Sequence, residues 1–274
     1  MKKPENKKKS ILMYHSVGFP VLGDPGNGLY CVSKENFREQ MQYITQVTKT
    51  QSHKVTEHSK FDEVHSPQST VHGKLDAVVR RPSTVDCLIT FDDGDVTNFT
   101  QAYPVLKELG LTAYFFILAG KIGSSGYMSW GQIKEMHDNG MIIGSHGMTH
   151  RIMPALSDKD IRYEINTSKE FIEGKLKTKI YYFSIPRGFY NKKILGMLKK
   201  AGYKGVFTSD SGRINDYEFG RIAIRSNWGI GQFKKVLERG PSVKDKLEGR
   251  LRKSAINLIG INNYDKLRMG LLKK

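Results

Sequence analysis

The sequence predicts an α/β fold in which short parallel strands alternate with amphipathic helices, and three observations carry that prediction. Mostly apolar runs of four to six residues recur at 11–15, 85–90, 113–118, 141–145, 180–184, 205–208 and 221–224, the pattern of strands buried on both faces. The segments between several of them have helical periodicity with start and stop signals. The two element types alternate, which gives a parallel sheet with crossover helices. Strand number alone does not separate a β/α barrel from a doubly wound sheet.

The helices follow in chain order. Ser33 stands as an N-cap before a helix whose Phe37, Met41 and Ile44 share one face, and Ser129 caps a helix ending before Gly140. Trp130, which opens that helix, reads as a wall-packing residue and not as a ligand platform. Ser157 and Asp160 form a capping pair at the start of a longer helix, and the helix from Asn191 to Ala201 closes on Gly202. Residues 48–84 interrupt this rhythm. They are polar, and the spacings of His53, His58, His65 and His72 match no metal-ligand pattern, so the segment reads as a solvated insertion. Beyond residue 230 the character changes again. Val243, Leu247, Leu251, Ala255 and Leu258 form one helical stripe, with Lys244, Lys246, Arg250 and Lys253 around the rest of the wheel. The chain therefore divides into a basic tail at 1–10, a body at 11–230 and a basic amphipathic helical extension at 231–274.

The chain has 274 residues, 38% hydrophobic and 26% charged, which fits one large domain with appendages and excludes collagen, low-complexity disorder and a disulfide-dense module. The most apolar run, Ala113–Ala119, is far shorter than the roughly 20 residues of a membrane-spanning helix. Cys31 and Cys87 lie too far apart in sequence for a thiolate knuckle, and Cys87 reads as a packing thiol. The N-terminus is basic, but Tyr14, His15 and Ser16 interrupt the apolar run behind it, so a cytoplasmic location is expected. The formal charge is +17, of which residues 1–10 carry +4 and residues 231–274 carry +8. A basic extension of this kind suits an anionic membrane surface, the inner face included, or packs its stripe on the body. Nucleic acid is not expected, because the basic residues lack interleaved aromatics and no DNA-binding module is present.

The chemistry gathers at strand ends. ITFDDG, Ile89–Gly94, follows one apolar run, and the C-terminal ends of parallel strands are where β/α folds build their sites. Two adjacent carboxylates, Asp92 and Asp93, repel each other in a dry cleft unless a cation or a shared proton relieves the charge. GSHGMTH, Gly144–His150, follows a second apolar run. His146 and His150 are four residues apart, which on a helical turn puts both imidazoles on one face. An acidic pair and two histidines at parallel strand ends make an Asp-His-His site. Three protein ligands with an open position are the arrangement of a catalytic metal; Zn²⁺ is the default ion, and Co²⁺, Ni²⁺ and Fe²⁺ also fit the set.

TFDDG, MSWGQIKEMHDNGM and SHGMTH together resemble the polysaccharide deacetylase family, carbohydrate esterase family four, over roughly residues 10–230. The resemblance implies a distorted, incomplete (β/α) barrel of about seven parallel strands that removes acetyl groups from sugars with a divalent metal. Carried over by residue, it implies Asp92 as general base and Asp93, His146 and His150 as metal ligands. FSIPRG, Phe183–Gly188, resembles a third family motif and makes the Arg187 N–H a substrate-side donor to the oxyanion. Ile185 and Arg187 stand where aromatic residues are common, which bears on the shape of the groove. The general-acid histidine of many members lies in a C-terminal Leu-x-x-His motif, yet no histidine follows His150 here. A permuted branch resembling the bacterial poly-N-acetylglucosamine N-deacetylases places its acid near the N-terminus after a strand and a tyrosine. ILMYHSV, Ile11–Val17, matches that form and makes His15 the acid. The expected activity is N-deacetylation of an amino sugar in a polysaccharide or lipid-linked glycan. A deformylase or O-deacetylase keeps the same fold, and a non-catalytic basic protein is disfavoured because Asp92, Asp93, His146 and His150 are all present.

Overall fold

The computed structural model describes residues 10–19, 27–56, 87–211, 213–240, 255–256 and 258–272. Its centre is a parallel sheet of eight short strands: β1 (Ser10–Tyr14), β2 (Cys87–Phe91), β3 (Tyr114–Ile117), β4 (Ile142–Ser145), β5 (Tyr182–Ser184), β6 (Gly205–Thr208), β7 (Glu218–Gly220) and β8 (Ile222–Ala223). Strands β1 to β7 pair in sequence order, and β8 pairs back onto β1, with Leu12 opposite Ile222. The two end strands of the sheet, β7 and β8, are thus separated in the chain by the single residue Arg221. The sheet is a nearly closed barrel, and Arg221 is its seam.

Seven of these strands lie where the apolar runs predicted them, within two residues at each end. Strand β7 was not anticipated, because Glu218–Gly220 is three residues long and carries a charge and a glycine in place of an apolar run. The helices that cover the barrel are α1 (Lys34–Thr56), α2 (Tyr103–Leu109), α3 (Trp130–Asp138), α4 (Ser168–Leu176), α5 (Lys192–Lys200) and α6 (Ile230–Arg239), and a further helix, α7 (Ile261–Leu272), follows them in the chain. Ser33 Oγ accepts from the Asn36 N–H at 3.1 Å, and Asn191 Oδ1 accepts from the Ile194 N–H at 3.0 Å. Ser129 and Gln132 form a reciprocal capping box at the start of α3. Trp130 packs edge to face on Phe171, as a wall residue does. Helix α1 runs to Thr56, nine residues into the segment read as an insertion. The remainder of that segment, with His58, His65 and His72, lies outside the described residues. So do tail residues 1–9 and the stripe positions Val243, Leu247 and Leu251. Helix α6 belongs to the barrel, burying Phe233, Val236 and Leu237, and α7 sets Tyr264 edge-on to Phe189 at 6.2 Å. No helix among the described residues is long and apolar enough to cross a membrane.

Strand alternation sorts the core into two layers. Ile11, Tyr114, Phe116, Phe207 and Phe219 pack together inside the barrel, while the larger cluster fills the space between strands and helices. Five aromatic or branched side chains in so narrow a barrel need glycine opposite them. A Cβ on Gly144 would stand 2.6 Å from the Phe116 ring, and one on Gly205 would stand 2.5 Å from the Phe219 ring. The same alternation that turns Leu88 and Thr90 inward turns Asp92 inward, one step past the end of β2.

Arg221 meets it there. Its five N–H groups find five acceptors: Asp92 Oδ1 and Oδ2, each at 2.7 Å, Ser184 Oγ at 2.8 Å, Thr90 Oγ1 at 3.1 Å and the Thr208 carbonyl at 3.4 Å. The guanidinium also lies 5.5 Å from the Phe116 ring centre and 5.9 Å from that of Phe207. At 1% exposure it is held by strands β2, β5 and β6 at once. Removing one partner of a buried pair strands the other, so Arg221→Met is expected to cost about 3–5 kcal/mol in urea denaturation. Arg221→Lys, which keeps the charge without the fork, should cost less but still measurably. A loss below about 1 kcal/mol for Arg221→Met would show that the seam does not depend on this pair.

Candidate functional site

The residues singled out by sequence meet on one rim of the barrel, at the C-terminal ends of the strands. His15 follows β1, Asp92 and Asp93 follow β2, His146 follows β4, and Arg187 lies in the short turn after β5. Asp92 and Asp93 part company through backbone geometry. Asp93 has φ 72°, a left-handed conformation uncommon for a residue other than glycine, though Asp adopts it more readily than most. The turn aims Asp92 into the barrel at Arg221 and leaves Asp93 on the rim, facing the histidines.

Asp93, His146 and His150 present one ligand atom each, all within 4.8 Å of one another, the one such cluster among the described residues. Nε2 of His146 lies 3.3 Å, and Nε2 of His150 3.4 Å, from Asp93 Oδ1, which is buried and accepts no hydrogen bond among the described residues. The tautomer of His146 is set from behind. Its Nδ1 donates to the Ser184 carbonyl at 2.9 Å, so the neutral ring keeps its lone pair on Nε2, facing Asp93. A buried, undonated carboxylate oxygen and an imidazole lone pair converging on one point fit a divalent cation.

The two histidines do not sit on a helical turn, contrary to the spacing argument. Residues 146–150 form an irregular loop with Gly147 at φ 82° and His150 at φ 62°. What holds the loop is Glu164, fully buried in a π-helical turn, Tyr163–Thr167. One of its carboxylate oxygens accepts from the Met148 N–H at 2.7 Å and the Thr149 N–H at 2.9 Å. The other accepts from the Thr149 hydroxyl and from Arg151 Nε. A spacing of four is compatible with a helix or with a clasped loop, and only the glycines hinted at the second.

The electrostatics separate the adjacent carboxylates. Burial works to raise the Asp92 carboxyl, but Arg221, with His146 and His15 near it, outweighs burial and holds it below its ordinary value. Burial likewise works against the charge on Asp93, and His150, His146 and His15 overcome it, holding the group far below the carboxylate range. The two carboxylates answer to different neighbours, Asp92 to the Arg221 guanidinium and Asp93 to the imidazoles of His146 and His150. His15 acts on both, which places it on the same rim. Burial pulls the His146 pKa down, while Asp92 and Asp93 pull it up and prevail. Cys87 takes no part: burial pushes its thiol up to about 12. Arg187 occupies the motif turn at φ 56° beside fully buried Pro186, and Ile185 faces the core.

Three residues of this site escaped the sequence reading: Arg221, Ser184 and Glu164. Ser184 serves twice, its carbonyl orienting His146 and its hydroxyl donating to Asp92 Oδ2 at 3.2 Å. The signal for Arg221 was a charge at the head of an apolar run, GRIAI.

Comparison with known proteins bears on the family and the fold. Residues 80–206 match the family model described as polysaccharide deacetylase. YxkH of Bacillus subtilis strain 168, a polysaccharide deacetylase by name, is 30% identical over 75% of this chain and 66% of its own length. The poly-β-1,6-N-acetyl-D-glucosamine N-deacetylase of Staphylococcus aureus strain MRSA252 is 30% identical over 50% of this chain and 53% of its own. The chain thus spans between half and two thirds of these relatives. The fold matches that of the Streptococcus pyogenes deacetylase PplD, solved with acetate, at a TM-score of 0.63 and 21% identity, covering 83% of this chain and 97% of that one.

Two outcomes test the cluster. Elemental analysis should find near one divalent ion per chain in the wild type and little in the His146→Ala, His150→Ala double variant; equal, negligible metal in both after reconstitution would refute the site. Metal must also compete for His146 with the proton that the neighbouring Asp92 and Asp93 favour there. That raised pKa keeps the proton bound to a higher pH than an isolated histidine would, so metal affinity should fall as pH is lowered from about 8 to about 6. A flat titration over that window would contradict the arrangement.

Proposed function

We propose that this chain, which belongs to the polysaccharide deacetylase family, is a metal-dependent hydrolase that removes the N-acetyl group from an amino sugar in a poly-N-acetylglucosamine-like glycan. The observation that carries the reading is the division of labour between adjacent carboxylates: Asp93 converges with two histidines, while Asp92, beside it, is held ionised by Arg221. The substrate class rests on the name of the staphylococcal relatives and on ILMYHSV, whose resemblance to that branch implies His15 as the acid.

A divalent metal, Zn²⁺ by ligand preference, on Asp93, His146 and His150 would supply Lewis acidity toward the acetyl carbonyl and lower the pKa of water. Asp92 receives a proton as the oxygen of a water molecule bonds to the acetyl carbon. Arg221 and Ser184 fix the direction of its carboxylate and keep it unprotonated at neutral pH. The developing oxyanion takes the Arg187 N–H as a donor. As the carbon–nitrogen bond breaks, its electron pair stays on nitrogen, and His15 gives up a proton there. Acetate and a free amine leave.

An amine leaves poorly unless protonated, whereas an activated aryl ester needs no acid. The test is acetate release from β-1,6-linked N-acetylglucosamine oligomers, with formate release from their N-formyl counterparts and acetate release from O-acetyl substrates as comparison arms. His15→Ala should slow the amide by about 10²-fold or more while changing an aryl acetate far less. Amide turnover near wild type in that variant would remove His15 from the mechanism, and formate in place of acetate would move the protein to the deformylase reading.

A further inference from the structure

We infer that Tyr30 is the positioning residue for the His15 imidazole, set in place by a two-stranded ladder outside the barrel; this rests on the reading of His15 as the acid. An imidazole that delivers a proton is ordinarily aligned through its second nitrogen, by a carboxylate or a carbonyl. Among the described residues, His15 lacks that alignment. Its Nδ1 is buried and takes no hydrogen bond among the described residues. The proton must therefore leave from Nε2, and something other than a hydrogen bond must fix the tilt of the ring.

The ring of Tyr30 does so, stacked on His15 with centroids 5.1 Å apart and planes 28° from parallel. Register places the pair. Ser16–Val17 and Cys31–Val32 form a parallel ladder in which Ser16 faces Cys31 and Val17 faces Val32, so the residues preceding each strand, His15 and Tyr30, fall side by side. Anchors secure both strands. The Val17 N–H donates to Thr97 Oγ1 at 3.0 Å, and the Thr97 hydroxyl donates to Asp95 Oδ1 at 2.6 Å. Asn98 Nδ2 donates to the His15 carbonyl at 2.6 Å. On the Tyr30 side, the Ser226 N–H donates to the Leu29 carbonyl at 2.7 Å, tying the segment to the chain after β8. The stack is therefore pinned to the ends of β2 and β8, the strands that carry or adjoin Asp92 and Arg221.

The test compares Tyr30→Leu and Tyr30→Met, which fill volume without a ring face, with Tyr30→Phe and with His15→Ala. Each is assayed on the N-acetyl oligomer and on an aryl acetate, with metal content and melting temperature as controls. The ring-less variants should lose at least about tenfold on the amide, with the ester within about twofold and the metal retained, and Tyr30→Phe should recover the amide rate. Parallel loss on both substrates, or loss of metal, in both ring-less variants would assign Tyr30 a merely structural part and overturn the inference. So would an unchanged amide rate in them while His15→Ala is selectively impaired. Failure of His15→Ala itself to shift the amide-to-ester ratio would instead overturn the acid reading.

Discussion

The buried ion pair between Arg221 and Asp92 is the interaction on which the rest depends. It joins three things that a barrel could have kept apart: the seam where the sheet turns from β7 to β8, the inward end of β2, and the Ser184 position of β5. Arg221 satisfies all five of its donors without water, and this is what makes so deep a charge tolerable. A lysine in the same place offers three donors and no plane, and a hydrophobic residue would leave Asp92 alone in a dry interior. The same contacts close the fold and fix the carboxylate beside the candidate metal cluster, so stability and chemistry draw on one set of bonds.

A second consequence is the asymmetry of adjacent acids. Identical side chains one residue apart would share an environment on a regular strand only if both faced one side. Here the strand parity that buries Asp92 and the left-handed backbone at Asp93 send them to different neighbours, guanidinium inside and imidazoles on the rim. Behind the rim, Ser184 and Glu164 hold the histidines, one through a carbonyl and the other through two backbone amides. These supports come from β5 and from the segment leading into α4, so the geometry of the site depends on barrel and helices alike.

Much of this was legible in sequence, for a physical reason. Strands that are buried on both faces announce themselves as apolar runs, and residues at their ends are contiguous with those runs, so Asp92, Asp93, His146 and His150 could be placed at strand ends before any coordinates, while His15 came from the resemblance of ILMYHSV to a permuted branch of the family. Arg221 could not, because its partner lies 129 residues away and pairing across a barrel leaves no local trace. Glu164 was hidden in an ordinary amphipathic helix, and its role depends on a π turn that spacing does not reveal. The misreading of 146–150 as helical shows the same limit: a spacing of four records a distance along the chain, and Gly147 and the Glu164 clasp decided the conformation. Strand β7 is stabilised by its neighbours, with Phe219 filling the space above Gly205, and not by any propensity of Glu-Phe-Gly.

The central claim is that neighbouring carboxylates hold different offices, and isosteric replacement separates them. The decisive measurement is metal stoichiometry together with acetate release for Asp92→Asn and Asp93→Asn. Asp92→Asn is predicted to keep near one ion per chain and to lose acetate release, while Asp93→Asn loses the metal and the activity with it. Loss of metal from Asp92→Asn with retention in Asp93→Asn, or full acetate release by Asp92→Asn, would contradict the assignment.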